Sequence, residues 1–188
     1  QGNGIYYESD ADNTGATLSI SNSVFNENNK DGIFVDDRGY NNWTNQPALD
    51  SLTNTEIRFN GRQGLSIEEG WGSSLYIADN TFEANSRHGV TVYHASASED
   101  SLHFHNNVFL NNGRTGIRTT SARFTDNTFD GNEFGIGYWG HLGYNYLNQA
   151  GQDNNTFTNN TYNNSLELYS NNLQDTLSNE FPEEITSG

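Results

Sequence analysis

One pattern recurs along the 188 residues: Asn-x-x-Phe-x-x-Asn, three residues, then Gly-hydrophobic-x-hydrophobic. The clearest copy is Asn22, Phe25, Asn28, Gly32, Ile33 and Val35. Asn54, Ile57, Asn60, Gly64, Leu65 and Ile67 repeat it, as do Asp79, Phe82, Asn85, Gly89, Val90 and Val92. A fourth copy runs from Asn106 through Phe109, Asn112, Gly116 and Ile117 to Thr119. A fifth, one residue shorter, runs from Asp126 through Phe129, Asn132, Gly135 and Ile136 to Tyr138. A degenerate sixth keeps Asn154, Phe157, Asn160, Leu166 and Leu168, and Gly4, Ile5 and Tyr7 read as the tail of a preceding coil. A second short strand precedes each copy, as in Leu18-Ser19-Ile20, Leu75-Tyr76-Ile77, Leu102-His103-Phe104 and Ala122-Arg123-Phe124. Alternation sends the outer two residues of each inward and the middle one outward.

The repeat glycines 4, 32, 64, 89, 116 and 135 are spaced 28, 32, 25, 27 and 19 residues apart. Constant inner pattern with variable spacing predicts a solenoid whose loops of different length enter at one corner. Regular leucines with a helical stretch are missing, which excludes a leucine-rich repeat, and the coils are too short for four-stranded propeller blades. In a parallel β-solenoid each coil stacks on the last at roughly 4.8 Å. Phe25, Ile57, Phe82, Phe109, Phe129 and Phe157 then form one column and Asn28, Asn60, Asn85, Asn112, Asn132 and Asn160 another. Asn suits such a column because it tolerates left-handed turns and its amide bonds up and down the stack. The glycine supplies positive φ or close approach. One mechanism therefore accounts for 30 Asn and 19 Gly, residues that weaken helix interiors.

This pattern resembles the right-handed parallel β-helix repeats of the pectate-lyase-like superfamily, over roughly residues 4–168. The resemblance implies an all-β, right-handed, single-stranded parallel β-helix of about six to seven short coils. The domain reading is a β-helix over 1–169 and a capping segment or tail over 170–188, where the repeat is lost. The superfamily includes polysaccharide lyases, glycoside hydrolases, uronan epimerases, phage tailspikes and adhesins, so the fold does not select an activity.

Composition narrows the partners. Eight Lys and Arg against 24 Asp and Glu give a formal net charge of -16. No basic footprint for nucleic acid is present, and anionic membrane surfaces are disfavoured. No apolar run approaches the ~20 residues of a membrane span. The absence of Cys excludes disulfides, thiolate metal sites and a cysteine nucleophile. A first residue Gln1 reads as a mature or excised piece, covalently part of a longer chain.

The register predicts which outward side chains become neighbours. Lys30, Arg62, Arg87 and Arg114 each stand five residues after the aromatic position, so half of the cations share one column. Like charges about 5 Å apart in water repel by only about 1 kcal/mol. Such a row on an acidic protein suits an acidic polysaccharide such as a uronan, unless carboxylates such as Asp31 and Glu27 neutralise it. After each glycine the outer positions stack as Tyr6, Phe34, Ser66, Thr91, Arg118 and Gly137, then as Glu8, Asp36, Glu68, Tyr93, Thr120 and Trp139. Tyr138 and Trp139 add aromatic surface of the kind that suits sugar rings. Asp36 and Glu68 would repel unless a cation sits between them, and calcium, an oxygen-seeking ion, is the candidate. A plain solvated acidic face is the competing reading.

Glu69, Tyr93, His94 and Arg118 form a candidate acid–base group. Removing a proton beside a uronate carboxylate needs a cation to hold the carboxylate and a His or Tyr to exchange the proton. The Asp-Pro-His motif that similar uronan epimerases carry is absent. Tyr76, His103, His105 and Arg123 form a further outward patch; two histidines at strand spacing can bind zinc, but the local sequence supplies no third ligand. Asp10-x-Asp12-x-Thr14-Gly15 resembles half a calcium loop but has Ser21 at the twelfth position, where Glu is needed. The functional expectation is an extracellular or cell-surface carbohydrate-recognising module of a larger adhesin or carbohydrate-active protein. The alternatives are a lyase, C5-epimerase or hydrolase acting on a uronan, and a structural tailspike or stalk segment.

Overall fold

A computed structural model describes residues 2–8, 18–36, 49–68, 75–93, 102–119, 122–140 and 152–168, with backbone alone at 139–140, 152–153 and 164–168. The Asp10–Gly15 turn and the 170–188 segment lie outside the described residues. Every strand pairing is parallel, in three sheets of seven, six and six strands. The glycine sheet holds the strands after each repeat glycine: Ile5–Glu8, Ile33–Asp36, Leu65–Glu68, Val90–Val92, Thr115–Thr119, Phe134–Gly140 and Tyr162–Leu168. The histidine sheet holds Leu18–Ser21, Leu49–Thr53, Leu75–Ala78, Leu102–His105, Arg123–Thr125 and Gln152–Asp153. The aromatic sheet holds Val24–Asn26, Glu56–Arg58, Thr81–Glu83, Val108–Leu110, Thr128–Asp130 and Thr156–Thr158. The segments that differ by more than one residue all join the glycine sheet to the next histidine-sheet strand, the variable corner expected; the fifth copy is also one residue shorter between Asn132 and Gly135.

Register follows the repeat residue by residue. Phe25 pairs with Ile57, Ile57 with Phe82, Phe82 with Phe109, Phe109 with Phe129 and Phe129 with Phe157. The rings of Phe82, Phe109, Phe129 and Phe157 stack at 5.0, 4.9 and 4.9 Å. Phe104 and Phe124 form a shorter stack on the histidine sheet at 5.5 Å. The core is thus a set of columns, and each buried aromatic or aliphatic side chain removes enough apolar surface from water to stabilise by about 1.5–3 kcal/mol.

Two polar ladders close the corners. In the expected one, Asn85 N and Nδ2 donate to Asn112 Oδ1 at 3.2 and 3.0 Å, and Nδ2 also donates to Ile57 O at 3.0 Å. Asn28, Asn60, Asn112 and Asn132 repeat the side-chain link to the coil above. A second ladder of Asn80, Asn107, Asn127 and Asn155 does the same at the other corner. The left-handed residues are the ones immediately before these amides: Asn22, Asn54, Asp79, Asn106, Asp126 and Asn154 at one corner, and Glu27, Phe59, Ala84, Asn111, Gly131 and Asn159 at the other. The ladder Asn residues therefore serve through their amides rather than through turn geometry, which corrects the sequence expectation. Close approach is likewise the reason for the repeat glycines. A Cβ on Gly89 would lie 2.6 Å from Gly116 O, and among the described glycines only Gly131 has positive φ.

Candidate functional site

The cationic column exists as a ladder of main-chain hydrogen bonds. Lys30 O accepts from Arg62 N at 3.1 Å, Arg62 O from Arg87 N at 3.0 Å and Arg87 O from Arg114 N at 2.6 Å. The four side chains therefore leave the corner between the aromatic and glycine sheets on consecutive coils. Lys30, Arg87 and Arg114 are exposed and Arg62 is half-buried. Arg62 Nη1 lies 3.8 Å from Asp31 Oδ2. Among the described residues no carboxylate ion-pairs with Lys30, Arg87 or Arg114. Among the described residues, the one ion pair on the column is therefore that of Arg62, while the Asp31 carboxylate also acts on Lys30 and Arg87.

Beside it runs a buried polar column that the sequence reading missed. Asp31, Gln63, His88 and Thr115 each precede a repeat glycine, and all are buried. Gln63 N donates to Asp31 Oδ1 at 3.0 Å, and Asp31 N donates to Asn3 Oδ1 at 3.1 Å. Burial raises the Asp31 carboxyl, against the opposing pull of the Gln63 N–H and of Arg62, Lys30 and Arg87. His88 is pushed down to about 3 by burial and by the positive charges of Arg118, Arg114 and Arg87. Its imidazole is therefore neutral at pH 7. The signal for this column was present: every residue before a repeat glycine from Asn3 to Thr115 is polar.

The outer column of the glycine sheet has the expected register, Tyr6–Phe34–Ser66–Thr91–Arg118–Gly137. Tyr6 and Phe34 stack at 5.3 Å. Ser66 and Thr91 are buried rather than solvated, which corrects the picture of an open face. Gln63 Oε1, His88 Nδ1, Ser66 Oγ and Thr91 Oγ1 are buried without a hydrogen bond among the described residues. An unsatisfied buried polar atom costs about 1–3 kcal/mol. Four of them, over two coils, concentrate that cost in one part of the fold.

Of the predicted acid–base group, Tyr93 and Arg118 are among the described residues. Arg118 Cζ lies 5.7 Å from the centre of the Tyr93 ring, so these two come together. Glu69 and His94 lie outside the described residues. Tyr138 turns inward, edge-on to Phe124 at 6.4 Å, and packs against the core. It contributes to the core rather than to an outer aromatic platform, because it occupies the inward slot that Thr119 fills one coil below. Trp139 is placed by its backbone in register with Glu167, and its side chain is not described. Asp36 pairs in register with Glu68 on one side and Glu8 on the other. Asp36 is fully buried and Glu68 half-buried. Among the described residues no group of three His, Asp or Glu side chains is placed to hold a metal ion.

On the histidine sheet, Tyr76, His103 and Arg123 share an outer column, and His105 stands beside Thr125. His103 is held below the usual imidazole range by partial burial, then by Arg123 and His105.

The family model of the right-handed beta helix region matches residues 1–179. The chain belongs to the right-handed β-helix family. No curated protein and no solved structure matches it. Membership accounts for the three parallel sheets and the stacked columns of this β-helix, and leaves its activity to be argued from its surface.

Proposed function

We propose that this β-helix is a carbohydrate-recognising module, extracellular or at a cell surface, that holds an acidic polysaccharide along the solenoid axis. The observation that carries the reading is the ladder Lys30–Arg62–Arg87–Arg114 on a chain of net charge -16. Its members repeat at roughly the strand spacing of 4.8 Å, comparable to the rise per sugar of an extended polysaccharide. A periodic anion on such a ladder meets one cation per coil. Arg118, over Tyr93, extends the positive potential onto the same face. A calcium ion held by the carboxylate oxygens of Asp36 and Glu68, which are neighbours in register, belongs to the same proposal.

Binding of the purified chain to uronans and to neutral glucans, with and without calcium, tests this. Retention of the acidic polymers that weakens with added salt is the expected result. Arg87→Glu with Arg114→Glu should weaken it about tenfold or more, since each replaces an attraction by a repulsion. Indifference to every acidic and neutral glycan in the panel overturns the reading.

One contact favours a second reading, an enzyme acting on a uronan. Arg118 beside Tyr93 places a carboxylate-holding cation next to a group able to exchange a proton. Release of unsaturated products from a uronan, lost in Arg118→Ala and Tyr93→Phe, would establish it.

A further inference from the structure

On the histidine sheet, a different sheet from the one flanked by the cationic ladder's corner and the repeat glycines, two imidazoles are turned to one point. His103 and His105 lie two apart on a strand whose intervening Phe104 is fully buried, so both rings stand on the outer face, partly exposed. His103 Nε2 and His105 Nδ1 each lie 2.9 Å from the same atom, Thr125 Oγ1. One hydroxyl carries one proton, so it donates to at most one of these nitrogens and accepts from the other. The two ring centroids are 5.9 Å apart, and the Tyr76 ring packs edge-on against His103. Asp126 Oδ2 lies 3.5 Å from His105 Nδ1. Arg123, next to His103 in register, is the opposing charge.

The geometry points to a binding site for a divalent transition-metal ion of the nitrogen-preferring kind, held by His103 Nε2 and His105 Nδ1, which converge on the Thr125 hydroxyl and take the ion in its place once that hydroxyl rotates aside. Two imidazoles on a rigid strand form a chelate whose rings are already oriented by packing, and imidazole nitrogen suits zinc, nickel and copper. Waters complete the coordination. The Asp126 carboxylate beside Nδ1 supplies compensating charge and orients the metal-bound shell. The net charge of -16 draws cations to the surface. Calcium and magnesium, which take oxygen ligands, do not fit.

The test uses the whole chain, titrated with ZnCl2 or NiCl2 in excess calcium so that carboxylate sites are occupied. Calorimetry should show one saturable site in the micromolar range. In proton NMR of the unsubstituted chain, Ni2+ should broaden the ring signals of His103 and His105 together, before that of His88. His103→Gln and His105→Gln, each checked for an unchanged melt, should each bind about tenfold more weakly or worse, and Asp126→Asn should weaken binding several-fold. Arg123→Gln should tighten it, an effect that adventitious binding elsewhere would not show. Absence of saturable binding below millimolar metal, or undiminished affinity in the His103→Gln/His105→Gln double variant, overturns the proposal.

Discussion

Phe82 and Phe109, 27 residues apart in sequence, lie with ring centroids 5.0 Å apart and planes 2° from parallel. Each is the inward residue of a three-residue strand, and each is fully buried. A solenoid core has no second layer that could shift to fill a gap, so the stack is sensitive to truncation. Phe109→Ala should cost about 3–5 kcal/mol, and Phe109→Leu distinctly less because it leaves a smaller cavity. Urea unfolding of both variants checks the order.

Asn85 holds four hydrogen bonds at once. It accepts from Asn60 N and Nδ2 and donates to Asn112 Oδ1 and Ile57 O through its amide. Asn85→Ala leaves these partners buried and unpaired, so the expected loss is about 3 kcal/mol or more. Exposed Asn106, which donates to Asp79, should cost far less on substitution by Ala. Similar melting temperatures for Asn85→Ala and Asn106→Ala would contradict the ladder's energetic role.

His88 makes stability depend on pH. Its folded value of about 3 lies below the 6.5 of the unfolded chain, so below pH 6.5 the unfolded state takes up a proton that the native state refuses. The contribution is complete above pH 6.5 and is lost as pH falls towards 3, at about 1.4 kcal/mol per pH unit. Asp31 has the opposite sign: its raised carboxyl favours the native state as pH falls through its folded value. His88→Gln should flatten the acid limb of a plot of stability against pH, whereas Asp31→Asn should steepen it. An unchanged slope in His88→Gln would remove His88 as the cause.

Phe59 is half-exposed and has a φ of 55°. A bulky side chain in the left-handed region costs roughly 1–2 kcal/mol, most of which Asn avoids. Asn111 and Asn159 already occupy the equivalent place in later coils. Phe59→Asn should therefore raise stability by about 1 kcal/mol in thermal or urea unfolding. A drop would mean that the exposed ring contributes more by contact than its backbone loses.

The fold was legible because its contacts are repeats. Phe82 meets Phe109 and Arg87 meets Arg114 for the same reason: a fixed number of residues past a marker lands on the same spot of the next coil. The outer columns of the glycine sheet follow the same rule, so the register of Ser66, Thr91 and Arg118 could be written down in advance. Their burial could not; the inward slot of Tyr138, by contrast, is the one the fifth repeat copy assigns it. The second ladder through Asn80 and Asn107 went unread because its first members are Ser23 and Thr55, which break the pattern while keeping a side-chain oxygen there.

The order of residues along this chain determined which side chains stack, since a solenoid converts sequence period into spatial neighbourhood at one strand spacing per coil. Tertiary structure alone decided the environment of those columns: that His88 is buried and neutral, that Ser66 and Thr91 are shielded from water, and that two imidazoles meet at Thr125. The physical reason is that period sets distance along the axis. Burial, charge coupling and ring orientation depend on everything packed around the axis, and that has no period.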